Sequence, residues 1–153
     1  MPDDQDLAAV ARAIIDANLY MVLGTADSSG TPWVSPVYYA PAGYCEFFWI
    51  SALDARHSQN IVARREVSIV VFDSTVPIDT GQGVYMTAVA EHVERDEVTD
   101  GIELFSQRSL SHGGRPFTAN DIRTPARLRL YRATALEHYV LEPGTDRRVP
   151  VTP

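Results

Sequence analysis

The sequence predicts a mainly β protein: a small antiparallel β-barrel of about six strands with helices beside it. Six segments are rich in β-branched and aromatic residues or alternate apolar with polar side chains. Turns containing Gly, Pro or Asp separate several of these segments, and only two segments have the longer apolar spacing of a helix. At 153 residues the chain has the usual length of one domain. We therefore expect a single domain over residues 1–153.

A helix and three strands are predicted in the first third of the chain. Residues 7–17 carry apolar side chains at helical spacing, and Asp3 or Asp4 precedes them as an N-terminal cap. The segment DSSGTP contains the turn-forming residues Gly30 and Pro32, so the strands on either side of it are expected to form a hairpin. The predicted strands of this part are residues 19–26, 33–40 and 45–51.

The remainder of the chain is predicted to hold two helices and three longer strands. Residues 97–110 place their apolar side chains on one side of a helix. A polar stretch rich in Gly and Pro follows and is expected to be a loop. The predicted helices are residues 55–64 and 97–110, the predicted strands are residues 66–73, 84–95 and 128–143, and the loop is residues 111–127.

The composition excludes several classes of function. The formal net charge is -7, and an acidic surface repels the phosphates of nucleic acids. No apolar segment approaches the ~20 residues of a membrane helix, and the acidic N-terminus lacks the basic start of a signal peptide, so a cytoplasmic location is expected. Cys45 is the only cysteine and is expected to be a small buried hydrophobic residue. Because the histidines are scattered, no metal site is predicted.

The segment SALDARHSQNI follows the third predicted strand and leads into a helix. The first N–H groups of a helix have no intrahelical acceptor, and the helix dipole is positive at that end. Ser51 adds a hydroxyl group, Arg56 a guanidinium and His57 a ring N–H, so the segment predicts a phosphate-binding site. The alternative is that Arg56 and His57 are solvated on a surface helix, which Asp54 merely caps.

Five other residues, in three parts of the chain, are predicted to contact a ligand or to order the site. Pro36 cannot donate to a sheet, so Ser35 and Pro36 indicate an edge strand or a bulge whose free backbone groups can pair with a flat ring. Gln82 offers both a donor and an acceptor, and Gly83 permits a planar ligand to approach closely. Asn60 is expected either to order its loop or to contact the ligand. The alternatives are an edge strand protected against aggregation and an ordinary Gly-rich turn.

The sequence resembles the pyridoxamine 5'-phosphate oxidase-like family of FMN-binding split barrels over residues 7–151. The resemblance implies an FMN-binding split-barrel fold and a homodimer with the cofactor held between two subunits. It also implies an FMN-dependent oxidoreductase that acts on a small organic molecule. The resemblance rests on the order of five segments: GTPWVSPVYY, FFWISALDARHSQNI, EVSIVVF, GVYMTAVAEHV and RLRLYRATALEHYVLEP.

The resemblance also assigns cofactor-binding roles to individual residues. Ser51 and Arg56 match residues that bind the FMN phosphate or ribityl chain, and His57 stands where the oxidases carry a phosphate-binding lysine. Other residues match the segments around the flavin ring, and the last of them is expected to approach the flavin from the partner subunit. These residues are Ser35, Pro36 and Val37 on the second strand, Gln82 and Gly83 at the entrance to the fifth, and Tyr139 on the last.

The chain departs from the oxidases around the substrate. It lacks their basic residues at the positions of Ser35 and Ala40, and it lacks their C-terminal Arg-x-His motif, which argues against pyridoxamine phosphate as the substrate. No catalytic residue is assigned. Tyr38, Tyr39 and Tyr85 are able to donate protons, but their strand spacing favours a place in the core or in an interface.

Two alternatives to an FMN oxidoreductase are compatible with the sequence. The first is a reductase that uses the deazaflavin coenzyme, whose long anionic tail needs a wider basic groove to which Arg64, Arg65 and Arg123 can contribute. The second is a non-catalytic module that binds flavin or haem in order to buffer or sense it.

Overall fold

A computed structural model describes the backbone of residues 4–153 and the side chains of residues 6–153. The cap predicted at Asp3 or Asp4 lies outside these described side chains. The helices are α1 (Asp4–Ala17), α2 (Arg56–Ala63) and α3 (Glu97–Ser111), with a short 3-10 helix at Ala119–Ile122. The strands are β1 (Tyr20–Ala26), β2 (Pro32–Tyr38), β3 (Ala40–Ala42), β4 (Glu46–Ala52), β5 (Glu66–Phe72), β6 (Gly83–His92), β7 (Leu128–Leu141) and β8 (Arg148–Val151).

All strands lie in one antiparallel sheet with the order β2-β1-β5-β6-β7-β4-β3, and β8 pairs with β7. Tyr39 alone separates β2 from β3, so one bent segment provides both ends of this order. The sheet must therefore curl, as a barrel does. Tyr39 is fully buried at the bend, where its hydroxyl donates to the Ile15 carbonyl oxygen at 2.6 Å. With β2 and β3 counted as one bent strand, the six predicted strands are present and the mainly β fold with flanking helices is confirmed.

The two short strands were not predicted separately, and the physical reason is local. Both β3 and β8 contain a proline and are no longer than four residues, so neither has a strand-like pattern of its own. Cys45 was wrongly predicted to be buried. It is exposed, because it belongs to the turn before β4, which starts at Glu46.

The core fills the inside of the curled sheet. Along β5, Val67, Ile69 and Val71 point inward while the residues between them are half-buried or exposed, as the two-residue period of a strand requires. Helix α1 covers one side of this core with Leu7, Ala11 and Ile15. A second cluster lies under α3, where Gly101 allows the helix to approach closely. A Cβ atom there would lie 2.8 Å from Phe48 Cε1.

None of the helices in the described part of the chain is both long enough and apolar enough to cross a membrane.

Candidate phosphate and ring-binding site

Three predicted site residues converge where β4 ends and α2 begins. His57, in the first turn of α2, forms a hydrogen bond through Nε2 with Ser51 Oγ of β4 at 2.8 Å. Its Nδ1 pairs with Ser35 Oγ of β2 at 3.2 Å. Ser35 lies 22 residues before His57, so it is the curl of the sheet that brings β2 to this helix. Ser51 is buried, while Ser35 and His57 are half-buried. Polar groups of two strands and one helix therefore meet at one point.

The half-buried position of His57 favours the neutral form of its imidazole. Burial disfavours the charged form and lowers the pKa of His57 below its ordinary value of 6.5. A neutral imidazole has one N–H donor and one acceptor nitrogen. His57 therefore donates to one of its two serine hydroxyls and accepts from the other.

The N-terminus of α2 carries no side-chain cap. Its N-cap residue is Ala55, which has no polar side-chain atom, and Asp54 instead forms an ion pair with Arg127 at 2.7 Å. The capping role considered for Asp54 is therefore not adopted. The N–H groups of the first turn of α2 have no intrahelical acceptors, which is the arrangement that favours an anion.

Arg56 lies at the surface beside this N-terminus, and Trp33 orients it. The guanidinium carbon of Arg56 is 4.4 Å from the centre of the Trp33 ring, within the range of a cation–π contact. The charge of Arg56 also reaches Asp27, whose pKa is lowered first by its hydrogen bond from Ser29 and, to a smaller extent, by this guanidinium. Sequence reasoning missed Trp33. The only signal was a large aromatic residue next to Pro32 on a strand predicted to lie near the ligand.

Asn60 helps to order the site, which is one of its two predicted roles, and its contact with a ligand stays a prediction. It is buried, and its amide Nδ2 donates to Thr25 Oγ1 of β1 at 3.0 Å. The Thr25 hydroxyl in turn donates to the Trp33 carbonyl oxygen at 3.4 Å. This pair ties α2 to β1 beneath the site, so its contribution is to hold the helix in place.

An apolar trough lies on the outer face of the sheet and continues from β2. Its volume is about 360 Å³, and it crosses β1, β5, β6 and β7. Val34, which precedes Ser35, lines one side of it. Most of its other lining residues alternate with core residues and so face outward. The outward-facing residues of the lining are Val22, Gly24, Ser68, Val70, Tyr85, Thr87 and Tyr139.

The residues predicted to contact the flavin ring have different locations, and not all of them line the trough. Tyr139 lines the trough, and its pKa is raised chiefly by its hydrogen bond with Glu137. Pro36 is exposed on the edge strand β2, whereas the side chain of Val37 is buried in the core, so only the backbone of Val37 is available to a ligand.

Gln82 is largely occupied by the protein itself. Its Oε1 accepts hydrogen bonds from the backbone N–H groups of Gly83 and Leu141, at 2.9 and 2.8 Å, and its Nε2 donates to the Leu141 carbonyl oxygen at 2.8 Å. The side chain thus joins the start of β6 to the end of β7. One amide N–H is left over, and Gly83 is buried within β6. The prediction that these two residues contact a flavin is not tested by this geometry.

The three tyrosines considered as proton donors have different surroundings. Tyr39 is a core residue, and burial raises its pKa. The Tyr38 hydroxyl pairs with His112 Nδ1 at 2.8 Å. Tyr85 alone among them lines the trough, and Arg148 lies over its ring at 4.9 Å. Among the described residues, no group of three or more His, Cys, Asp or Glu side chains is arranged to hold a metal ion.

Comparisons with known proteins agree with this architecture. A family model described as pyridoxamine 5'-phosphate oxidase matches residues 7–139. A heme-binding protein from Mycobacterium smegmatis has a TM-score of 0.76 at 19% identity, over 99% of this chain and 59% of that chain. HutZ, the heme storage protein of Vibrio cholerae, has a TM-score of 0.67 at 21% identity, over 87% of this chain and 92% of that chain.

An F420 reductase is also similar, with a TM-score of 0.63 at 18% identity, over 90% of this chain and 98% of that chain. At these identities the similarity shows a shared fold alone. The chain spans 59% of the length of the M. smegmatis structure. No curated protein sequence has a significant match to this chain.

Proposed function

The chain belongs to the pyridoxamine 5'-phosphate oxidase family, and on this premise we propose that it is an FMN-dependent oxidoreductase acting on a small organic molecule. One observation carries the proposal: His57 joins Ser51 at the uncapped start of α2, where Arg56 is the first residue, and an apolar trough begins at Val34 on the other face of the strand β2. A cofactor with an anionic tail and a flat ring needs both a site that binds an anion and an apolar surface on which the ring can lie.

The residues at the start of α2 fit a phosphate group. Arg56 supplies a fixed positive charge with a planar set of donors, and its stacking on Trp33 limits its freedom before any ligand arrives. Ser51 supplies a hydroxyl and the first turn of α2 supplies backbone N–H groups. A neutral His57 adds hydrogen bonding without adding charge.

The outer face of the sheet fits the flat ring of a flavin. We propose that the ring lies against the trough, with the backbone of Ser35, Pro36 and Val37 at its polar edge, and that Tyr139 packs near the flavin of the partner subunit. FMN, when bound, supplies hydride or electron transfer. The contribution of this chain is then to bind the phosphate, orient the ring and exclude water with apolar residues such as Val22 and Val70.

A homodimer is the second part of the proposal. Proteins of this family typically dimerise, and large apolar side chains stand exposed on and near the trough. Val34 and Leu136 are each 66% exposed, and Phe72 is 44% exposed. A second copy of the chain placed over this face would cover these side chains and enclose the ring. A cytoplasmic location and a single domain over residues 1–153 remain predictions from the sequence.

FMN is favoured over the deazaflavin coenzyme by the distribution of positive charge. The similarity to an F420 reductase supports the deazaflavin alternative. The arginines expected to widen the basic groove are Arg64, Arg65 and Arg123. Each is, however, either paired with another side chain or located away from the start of α2. Arg65, beyond the other end of the helix, pairs with Glu91 at 3.1 Å, and Arg123 forms a hydrogen bond with Asn120.

A haem-binding module is less well supported by the side chains that line the trough, although two similar structures are described as heme proteins. Haem iron is usually held by His, Cys, Met or Tyr. Within residues 6–153 the lining of the trough holds no His or Cys, Met86 is a core residue, and only Tyr85 and Tyr139 are left as candidate ligands.

The substrate is proposed to differ from pyridoxamine phosphate. The position at which the oxidases carry a basic residue is Ala40 here, and Ala40 is fully buried in the cluster under α3. Ser35, at the other such position, already pairs with His57. The chain therefore lacks the cations that would bind a second phosphate group.

Three measurements test the proposed function. The protein is purified and denatured, and the released cofactor is identified by its mass; FMN is expected. The apoprotein is then titrated with FMN, with riboflavin and with the deazaflavin coenzyme. FMN should bind most tightly, because only it combines a terminal phosphate monoester with a short chain. Equal affinity for FMN and riboflavin would refute the phosphate site, and released haem would favour the binding-module alternative. Oxidation or reduction of bound FMN by candidate substrates then separates an enzyme from a storage protein.

A further inference from the structure

His57 is bonded at both ring nitrogens by hydroxyl groups from two different strands. Ser51 Oγ lies 2.8 Å from Nε2, and Ser35 Oγ lies 3.2 Å from Nδ1. The two strands are β4 and β2, and the ring belongs to α2. A continuous path of hydrogen bonds therefore leads from the strand edge at Ser35, through the imidazole, to the start of α2.

This path has a direction, because the ring is neutral. In one orientation the Ser51 hydroxyl donates to Nε2, and Nδ1–H donates to Ser35. In the other, the Ser35 hydroxyl donates to Nδ1, and Nε2–H donates to Ser51. The second orientation leaves the Ser51 hydroxyl hydrogen free to donate to something else. Burial of His57, which lowers its pKa, keeps the ring in the neutral form that this choice requires.

We propose that the path Ser35–His57–Ser51 is a hydrogen-bond relay, through which Ser35 acts as a positioning residue for the anion bound at α2. The inference rests on the proposed phosphate site. A phosphate dianion only accepts hydrogen bonds, so its presence beside Ser51 selects the orientation in which Ser51 donates outward. His57 then carries its proton on Nε2, and its Nδ1 accepts from Ser35.

The relay connects the phosphate site with the strand β2. The Ser35 side chain lies on the same face of β2 as the core residue Val37, whereas Val34, which lines the trough, lies on the other face. Ser35 therefore acts on the phosphate site through His57, and it does not contact a ring in the trough through its side chain.

This arrangement depends on a histidine at position 57. By resemblance, the oxidases carry a lysine there. A lysine ammonium has three donors and no acceptor, so it cannot accept from Ser35 while donating to Ser51. The relay is therefore a property of this chain's own residues and not of every phosphate site built on this fold.

The position of the proton on His57 is the direct test. The protein is labelled with ¹⁵N in its histidines, and the ring signals of His57 are assigned by their loss in the His57→Gln variant. Spectra are recorded without ligand, with FMN, with riboflavin and with inorganic phosphate alone. We expect the Nε2–H form with FMN and with phosphate. The Nδ1–H form or a doubly protonated ring in the FMN complex would overturn the relay, and the deciding spectra are those of the unaltered protein.

A double-mutant cycle tests the coupling between the ends of the relay. Ser35→Ala should weaken FMN binding by about threefold, a typical loss for one neutral hydrogen bond. In the His57→Leu background the same change should have no effect, because Ser35 then has no connection to Ser51. Ser74→Ala, at an exposed serine after β5, is the matched control and should leave FMN binding unchanged. An equal effect of Ser35→Ala in both backgrounds would overturn the relay.

The two proposals fail in different ways. If FMN binds more tightly than riboflavin while His57 keeps its proton on Nδ1, the relay fails and the phosphate site stands. If FMN binds no more tightly than riboflavin, the phosphate site fails and the relay fails with it.

Discussion

The guanidinium carbon of Arg56 lies 4.4 Å from the centre of the Trp33 ring, so a surface cation of α2 is held against an aromatic residue of β2. Both side chains remain accessible to a ligand, since Arg56 is exposed and Trp33 is 41% exposed. A long arginine side chain loses conformational entropy when it binds a ligand. The contact with Trp33 restricts Arg56 before binding and thereby reduces that loss.

Replacement of Arg56 should weaken the binding of FMN but not that of riboflavin. Arg56→Ala is expected to cost about 1.5–3 kcal/mol of FMN binding free energy, the range for a hydrogen bond to a charged group. The FMN affinity of Arg56→Lys should lie between those of the unaltered protein and Arg56→Ala, because lysine retains the charge but lacks the planar set of donors. Isothermal titration measures both ligands. Arg64→Ala, beyond the far end of the same helix, is the control, and a loss of FMN affinity equal to that of Arg56→Ala would point to long-range charge instead of direct contact.

Replacement of Trp33 should act through Arg56. Trp33→Leu is expected to weaken FMN binding by about 0.5–1 kcal/mol, the strength of an exposed cation–π contact. The same substitution in an Arg56→Ala background should then have a much smaller effect, because no guanidinium remains to be oriented. FMN titrations of the two single variants and the double variant measure the coupling. Purely additive losses would mean that Trp33 contacts the ligand independently.

The stability of the protein should fall as the pH drops below about 6.5. Burial lowers the folded-state pKa of both His57 and His92 below their unfolded value of 6.5. Between the folded and unfolded pKa values the unfolded chain binds more protons, so the free energy of unfolding rises with pH through that window and levels off above it. Urea unfolding at a series of pH values measures this dependence. His57→Leu should make it shallower, and an unchanged slope in that variant would assign the effect to other groups.

Gln82 should contribute to stability whether or not it contacts a cofactor. Gln82→Ala removes three hydrogen bonds: two join the start of β6 to Leu141 at the end of β7, and the third is accepted from the backbone N–H of Gly83. We expect the free energy of unfolding to fall by about 1–3 kcal/mol, the cost of leaving partly buried polar groups unsatisfied. Urea unfolding of the apoprotein measures the loss without any contribution from the ligand. Gln59→Ala, at an exposed position on α2, is the control. Equal stability of the two variants would contradict a stabilising role of the Gln82 hydrogen bonds.

Local patterns account for most of the predicted fold. The alternation in β5 and the turn before Pro32 are properties of neighbouring residues, and they led to the correct strands and hairpin. The bend at Tyr39 and the short strands β3 and β8 were not predicted, because they depend on contacts distant in sequence. Cys45 shows the same limit, since a single turn before Glu46 separates it from the buried strand.

The candidate site was partly predictable for the same reason. Ser51 and His57 are six residues apart, so a strand followed by a helix was enough to bring them together. The bond from His57 to Ser35 and the stacking of Arg56 on Trp33 join α2 to β2, which only the curl of the sheet makes possible. Whether these residues bind a cofactor remains a prediction, which the experiments above address.

Replacement of Leu136 should separate the subunits of the proposed dimer. Leu136 is the extra residue of a β-bulge, because Ala88 pairs with Ala135 and Thr87 with Glu137, and its side chain is 66% exposed. If a second copy covers this face, Leu136→Arg places two charges in an apolar interface, and the protein should become monomeric and lose FMN affinity together. Sedimentation velocity and FMN titration measure the two effects. The control is Val62→Arg, at an 83% exposed position on α2. A Leu136→Arg protein that remains dimeric would show that the subunits associate through another surface.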